Sequence, residues 1–231
     1  MQTNTLDIVY TVKQNKNNDE LRYSLRTLEN LPHRSVFIFG YVPDWAQNVI
    51  ARPMAQKGND KWEKTADSLW SVANEKDLSE DFVLFNDDFF VMSPVQRLPY
   101  YFDRTLEQRI GDFRKKGMLN SYTTRLFNAS EALKSRGKTT KNYELHLPMV
   151  INKEKYKKLW ELYPGIGAKR SLYGNEYMVE GIQRPDCKIY QTYDHPNLGI
   201  DFLSTTDGSF SSGRAGQEIR RKFNKKCIYE Q

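Results

Sequence analysis

The sequence predicts an α/β fold built on a mostly parallel sheet with helices covering its faces. Three observations carry this. Short β-branched and aromatic runs alternate with amphipathic segments over residues 7–90 in the order strand, helix, strand, helix, strand. The apolar runs are too short for helices and are closed by polar or turn-forming residues. The last of them, Phe82-Val83-Leu84-Phe85, is fully apolar, as a strand buried on both faces must be, and ends abruptly in Asn86-Asp87-Asp88.

Asp7 to Val12 is the first strand. Asn17, Asn18 and Asp19 offer N-caps, and Leu21, Leu25 and Leu28 recur at helical spacing, which predicts a helix over 19–30 that ends at Leu31-Pro32-His33. Val36 to Phe39 is the second strand, closed by Gly40 and Pro43. Trp62, Ala66, Leu69 and Ala73 share one face of a second helix, which leads into the acid-tipped strand. Residues 104–142 are polar, basic and without clear periodicity, and read as an insertion covering the substrate. Order returns at Glu144–Ile151. A helix bearing Tyr156, Leu159, Trp160 and Tyr163 follows, and Pro164-Gly165-Ile166-Gly167 breaks it. A short helix over 172–181, a strand over Ile200–Ser204, a Gly/Ser-rich loop and a basic tail complete the reading. The expected organisation is one domain over residues 1–213 with a tail over 214–231. Trp62, Trp70, Trp160, Tyr156 and Tyr163 are read as core.

With 231 residues, 39% hydrophobic and 13% aromatic, the chain is long enough for a substantial core. No apolar run approaches the roughly 20 residues of a membrane-spanning helix. Met1 to Asp7 is polar, unlike a secretory leader, so a soluble, cytoplasmic protein is expected. Cys187 and Cys227 lack metal-ligand spacing and are read as free thiols. The net charge of +6 is concentrated in Arg214–Lys226, where Arg214, Arg220, Arg221, Lys222, Lys225 and Lys226 face only Glu218, with a second basic stretch over Arg114–Lys141. Such segments suit polyanions, or are solvated surface.

The acidic triplet carries the chemistry. Two adjacent carboxylates at a buried strand's tip repel each other unless a cation sits between them. Hard oxygen donors suit Mg²⁺ or Mn²⁺, which in turn suits a phosphate-bearing substrate. In parallel α/β sheets ligands bind beyond the carboxyl ends of the strands, which is where Asn86, Asp87 and Asp88 fall.

Several segments then stand in a recognisable order: Asp7-Ile-Val-Tyr-Thr-Val, Asn18-Asp-Glu-Leu-Arg-Tyr-Ser-Leu-Arg-Thr-Leu-Glu29, Val42-Pro-Asp-Trp45, Phe85-Asn-Asp-Asp-Phe-Phe90, His146-Leu-Pro148 and Arg170-Ser171. Over roughly residues 7–180 the chain resembles the Stealth family of sugar-phosphate transferases, which move a hexose-1-phosphate from a nucleotide sugar to a sugar hydroxyl. Its strand–helix–strand–acid-pair order is shared with the GT-A glycosyltransferases. The resemblance implies a GT-A-like fold, a nucleotide-sugar donor, a hydroxyl acceptor and a Mn²⁺ or Mg²⁺ cofactor. Asp87 and Asp88 are the implied metal residues. Arg22, Asp7 and Asn86 are the implied donor-binding residues, and His146, Arg170 and Asp88 the catalytic ones; Lys13, which stands where the chain departs from the family, is read as a further donor-binding residue near the phosphates. His146 would take the acceptor's proton and Arg170 would offset phosphate charge. Asn175 and Glu176 are weaker candidates for the same pocket, Tyr100, Tyr101 and Phe102 could stack a base or sugar, and His33 and His195 are read as structural.

The chain departs from the family where Val12-Lys13-Gln14-Asn15 replaces the usual Trp-Val-Asp-Gly, and where Met149 replaces a second His. These departures fall in the phosphotransferase-specific parts and favour glycosyl transfer over sugar-1-phosphate transfer. The basic tail admits a polyanionic acceptor such as modified DNA or teichoic acid. Two other classes compete: a metal-dependent nuclease using Asp87, Asp88 and His146, and a nucleic-acid-binding protein without chemistry. No helix-turn-helix, zinc finger or RNA-binding signature favours the latter.

Overall fold

A computed structural model of the chain describes residues 5–14, 17–55, 61–196 and 201–231, without the side chains of residues 61–63. It divides into two compact units, the first comprising residues 1–98, 146–151 and 187–231, the second residues 99–145 and 152–186. The sequence predicts one domain over residues 1–213. The second unit is wider than the predicted insertion because residues 152–186 pack with it.

The first unit is built on a five-stranded sheet of β1 (Asp7–Val12), β2 (Val36–Gly40), β3 (Ile50–Pro53), β4 (Asp81–Phe85) and β7 (Met149–Asn152), in the order β3-β2-β1-β4-β7. The β3, β2, β1 and β4 pairings are all parallel. β1, β2 and β4 are buried on nearly every residue, which explains their uninterrupted apolar runs. Chain order runs one way from β1 through β2 to β3 and the other way from β1 to β4. The sheet therefore reverses its winding between β1 and β4, where the crevice at the strands' carboxyl ends takes ligands in folds of this type.

Helix α1 (Asp19–Thr27), extended by a 3₁₀ turn over Leu28–Asn30, links β1 to β2 and buries Leu21, Leu25 and Leu28 as the spacing predicts. Helix α2 (Lys61–Ala73) links β3 to β4 and buries Leu69, Val72 and Ala73. Trp70 on that helix is 41% exposed, a correction to its reading as core. The side chain of Trp62 lies outside the described residues.

Beyond β4 the chain turns into β5 (Phe89–Val91). This strand pairs antiparallel with β10 (Phe202–Thr205), which pairs parallel with β9 (Lys188–Ile189). The strand predicted over Ile200–Ser204 corresponds to β10, with Ile200 outside the described residues. Helix α1 is clamped to β5 by polar bonds. Thr27 Oγ1 accepts from the Val91 amide at 3.0 Å, Asn30 Nδ2 donates to the Val91 carbonyl at 2.8 Å, and Ser24 Oγ bonds both Tyr10 Oη, at 2.8 Å, and the Phe89 carbonyl. All of these except Asn30 and its carbonyl partner are buried bonds that fix α1 against the turn carrying the acidic triplet.

Residues 214–231, expected to be a tail, are part of the first unit. Helix α7 (Asp207–Ser211) leads to α8 (Arg214–Lys222), and Ala215, Ile219 and Phe223 join Phe90, Met92, Leu203 and Phe210 in one apolar cluster. The two helices approach so closely that a Cβ on Gly216 would lie 1.7 Å from the Phe210 carbonyl oxygen. The basic residues of α8 lie on its outer face, so the sequence's charge run hid an amphipathic helix. Truncation after Gly213 removes Ile219 and Phe223 from this cluster. At about 1.5–3 kcal/mol for each large apolar side chain, the expected loss is about 5 kcal/mol, read as a collapse of the thermal unfolding transition.

In the second unit, β6 (Tyr100–Phe102) pairs parallel with β8 (Gly181–Gln183). Helices α3 (Leu106–Lys115) and α4 (Ser121–Ser135) occupy the stretch that reads as aperiodic from sequence. Their apolar stripes are narrow, Leu106 and Ile110 on one and Leu126, Ala129 and Leu133 on the other. Their local signal was the capping boxes Thr105-x-x-Gln108 and Asn120-x-x-Thr123, both formed in the structure. Helices α5 (Lys153–Leu162) and α6 (Lys169–Glu176) complete the unit, with Tyr156 and Tyr163 buried as expected. Among the described residues no helix is long and apolar enough to cross a membrane.

Candidate functional site

The turn after β4 places Asn86, Asp87 and Asp88 at the carboxyl edge of the central sheet, beside the winding reversal. Lys13, exposed, follows β1 at the same edge and its carbonyl accepts from Asn18 Nδ2 at 3.0 Å. That bond holds the loop entering α1 against the end of β1. The first turn of α1 then brings Glu20 and Arg22 to a cleft of about 630 Å³, also lined by Asn18, Arg26, Asp87 and Asp207.

The acid pair is only half accounted for by protein partners. Asp88 Oδ2 is paired with Lys188 Nζ on β9 and accepts from Ser204 Oγ at 3.3 Å. Asp88 Oδ1 is buried and has no hydrogen-bond partner. An orphaned anionic oxygen inside a protein is costly, and marks a position that a cation can fill. Burial, with the neighbouring Asp88 charge, pushes the Asp87 carboxyl up to about 7. Glu20 accepts from Thr205 Oγ1 at 2.6 Å, and is pushed up to about 8 by burial and by the charges of Asp88, Asp87 and Asp207. Four carboxylates from α1, the β4–β5 turn and α7 thus share one electrostatic neighbourhood, in which Lys188 is paired with Asp88.

These residues fit a divalent cation. Among the described residues no three His, Cys, Asp or Glu side chains form a ready-made metal cage. With two carboxylates as its protein ligands, Mg²⁺ or Mn²⁺ would complete its shell with water and a substrate's phosphates. The linkage has a definite sign. Asp87 and Glu20 have folded pKa values raised above their ordinary 3.8 and 4.5. Their contribution to stability is therefore full below about pH 4 and is lost as pH rises through about 7 and 8. Thermal melts between about pH 5 and 9 should show a falling Tm, and Mn²⁺ should restore more of it at pH 8 than at pH 6, because the cation binds the ionised form.

Arg22 reaches the cleft from a defined cradle. Its guanidinium lies 4.6 Å from the Trp45 ring centroid, and its Nε is 3.9 Å from Glu230 Oε2 but has no hydrogen-bond acceptor. Arg26, one turn later, forms a bidentate buried pair with Glu230 at 2.7 and 2.8 Å. The Glu230 carboxyl is held below its usual range because the Arg26 fork and the Cys227 amide outweigh its burial. Arg22 Nε also lies 4.0 Å from Asp19 Oδ1, so both guanidiniums sit among carboxylates, with Arg26 bound tightly and Arg22 only at long range.

His146 packs in the same unit. Its ring meets Phe89 and Tyr190 edge to face, each at 6.4 Å between centroids, and its carbonyl accepts from Cys187 Sγ at 3.1 Å. The imidazole thus packs between Phe89 of β5 and Tyr190, which follows β9. Cys187 and Cys227 are free thiols, as read from sequence.

The other candidates have partners of their own. Asp7 is a correction: it is fully buried at the amino-terminal edge of β1, forked by Arg34 through Oδ1 at 2.8 Å and through Oδ2 at 2.5 Å, and Oδ2 also accepts from the Ser79 amide at 2.8 Å. The parallel register sets Asp7 opposite Phe82, a strand's length from the acid turn. Arg170 belongs to the second unit, where it donates to the Leu145 carbonyl at 3.2 Å and offsets the charge of the buried Glu144. Asn175 bonds Thr139, Lys141 and Ser171, and Glu176 bonds Tyr163, Arg136 and Lys138. Both are tied up holding α6 in place. Tyr100, Tyr101 and Phe102 form β6 of the second unit. His33 is structural as read, bonded to the Leu31 carbonyl and Tyr229 Oη, and His195 contacts Arg214.

Sequence reasoning missed Glu20, Lys188, Ser204, Thr205 and Asp207. Glu20 lay in view, inside the Asn-Asp-Glu-Leu-Arg run. The others had no local signal, since only the β5-β10-β9 pairing brings them to the acid turn.

No protein-family model and no curated protein matches the chain. Among solved structures it is similar to the galactosyltransferase LgtC in complex with donor and acceptor sugar analogs. That match covers 98% of both chains at 8% identity, with a TM-score of 0.49.

Proposed function

We propose that this protein is a GT-A-like, metal-dependent glycosyltransferase that moves a sugar from a nucleotide-sugar donor to a hydroxyl acceptor. The observation that carries the reading is the acid turn: two partly buried carboxylates, one with an orphaned oxygen, at the carboxyl edge of a parallel sheet where its winding reverses, with Asp87 lining a cleft that also holds Arg22, Arg26 and Arg220. Asp87 and Asp88 hold Mn²⁺ or Mg²⁺, whose charge neutralises the departing nucleotide's phosphates. Arg22, held only by long-range ion pairs, offers its guanidinium to a phosphate oxygen. Asn86 and Lys13 line the same edge for the donor. His146 accepts the proton of the attacking hydroxyl.

The test is incubation with UDP- and GDP-linked sugars, Mn²⁺ and simple sugar acceptors, with the released nucleotide identified by chromatography. Glycosyl transfer releases a nucleoside diphosphate. Release of a nucleoside monophosphate would assign the Stealth-type transfer of sugar-1-phosphate instead. The exposed Arg221, Lys222, Lys225 and Lys226 support a polyanionic acceptor. Transfer to such an acceptor should weaken steeply as salt rises, and a salt-insensitive reaction would remove that part of the reading.

A further inference from the structure

We infer that Lys188 is a built-in competitor for the metal position, so that the divalent cation enters together with the anionic donor rather than ahead of it. The inference rests on the proposed nucleotide-sugar function and adds a binding order to it. Lys188 lies on β9, a hundred residues from the acid turn, and β9 reaches that turn only through β10. Its side chain is 12% exposed and its ammonium sits on Asp88 Oδ2, with the Asp88 side chain 15% exposed. Ser204 Oγ, 3.3 Å from the same oxygen, fixes the carboxylate's orientation. The Asp88 main chain is held as well, since the Thr205 amide donates to its carbonyl at 3.3 Å. Asp88 therefore presents one oxygen to Lys188 and the other, Oδ1, to no hydrogen-bond donor.

A dication at Asp88 must tolerate an ammonium on the same carboxylate, or displace it. Either way Lys188 weakens metal binding to the empty protein, because like charges within a few ångströms in a poorly hydrated site repel strongly. A diphosphate reverses the sign. It brings negative charge that the metal ligates and that can take over the lysine ammonium, so that neither cation is left buried without a counter-charge. Metal and diphosphate then bind cooperatively, and by linkage each raises the other's affinity by the same factor. Lys188 is a positioning residue in this scheme, acting through Asp88 and through the charge balance of the site.

The experiment is calorimetric titration of the full chain with Mn²⁺ alone, with UDP and GDP alone, and with each nucleotide in the presence of Mn²⁺, for wild type, Lys188→Met and Lys188→Arg. Wild type should bind Mn²⁺ weakly by itself and far better with nucleotide. Lys188→Met should bind Mn²⁺ alone about tenfold more tightly, within the range usual for such couplings, and lose most of the metal–nucleotide cooperativity. Lys188→Arg, which keeps the charge, should stay close to wild type. If Lys188→Met is too unstable to titrate, Lys188→Gln takes its place, and its Mn²⁺ affinity should fall more steeply with salt than that of wild type, whose acid pair is partly neutralised by the lysine. Equal Mn²⁺ affinity in wild type and the charge-removed variant, with nucleotide binding intact, overturns the inference while leaving the glycosyltransferase reading standing. Absence of any nucleotide binding to wild type, with or without metal, overturns that reading as well.

Discussion

Asp87→Asn and Asp88→Asn are each expected to lower the metal-dependent affinity for a nucleotide sugar about a hundredfold or more, the order that follows from losing a metal worth several kcal/mol of charge stabilisation. The two variants differ in their effect on the fold. Asp87 is a carboxyl that burial and Asp88 push up to about 7, from an ordinary 3.8. At pH 8 its ionised form is a cost that a neutral amide of the same shape does not carry, so Asp87→Asn should raise the Tm at pH 8 and change it little at pH 5. Asp88→Asn removes the partner of the nearly buried Lys188 ammonium and should lower the Tm throughout. Opposite stability effects with the same loss of binding would separate a functional pair from a structural one. Thermal melts at the two pH values, set beside nucleotide titrations, provide the measurement.

Glu230→Ala is expected to destabilise the first unit by about 3–5 kcal/mol, because it leaves the Arg26 guanidinium buried without its counter-charge. For a chain of this size that corresponds to a Tm about 10 °C lower. The substitution also removes the carboxylate that, with the Trp45 ring, fixes where the Arg22 guanidinium sits, so donor affinity should fall with stability as that position is lost. The control is the apolar double variant Arg26→Met with Glu230→Leu. Replacing both members of a buried pair by hydrophobic side chains of similar size is often neutral, so the double variant should recover most of the Tm. It leaves Arg22 without Glu230, so it should not recover the donor affinity.

What the sequence showed and what it hid follow from the range of the interactions. The core strands β1, β2 and β4 and helix α1 were legible because burial on both faces, or on one stripe, writes itself into neighbouring residues such as Val36–Phe39 and Leu21, Leu25 and Leu28. The acid turn was legible because two adjacent carboxylates at the end of an apolar run are unusual at any single place. Resemblance placed Asp7 among the donor residues, but its position at the start of β1 sets it at the strand end away from the acid turn, where it is bonded to Arg34 and Ser79. The C-terminal segment was misjudged because its charge run outweighed the Ala215, Ile219 and Phe223 spacing beneath it. Lys188 and Thr205 were invisible, since their meeting with Asp88 and Glu20 depends on sheet pairings between segments more than a hundred residues apart.

The central claim is that a divalent cation joins the acid turn to the diphosphate of a sugar donor. Isothermal titration of the wild-type protein with UDP- and GDP-linked sugars, in the presence of Mn²⁺ and again in chelator, tests it most directly. Saturable binding of at least one donor in Mn²⁺ that disappears on chelation is the expected result. Donor binding unchanged by chelation, or no binding of either donor under both conditions, would contradict it.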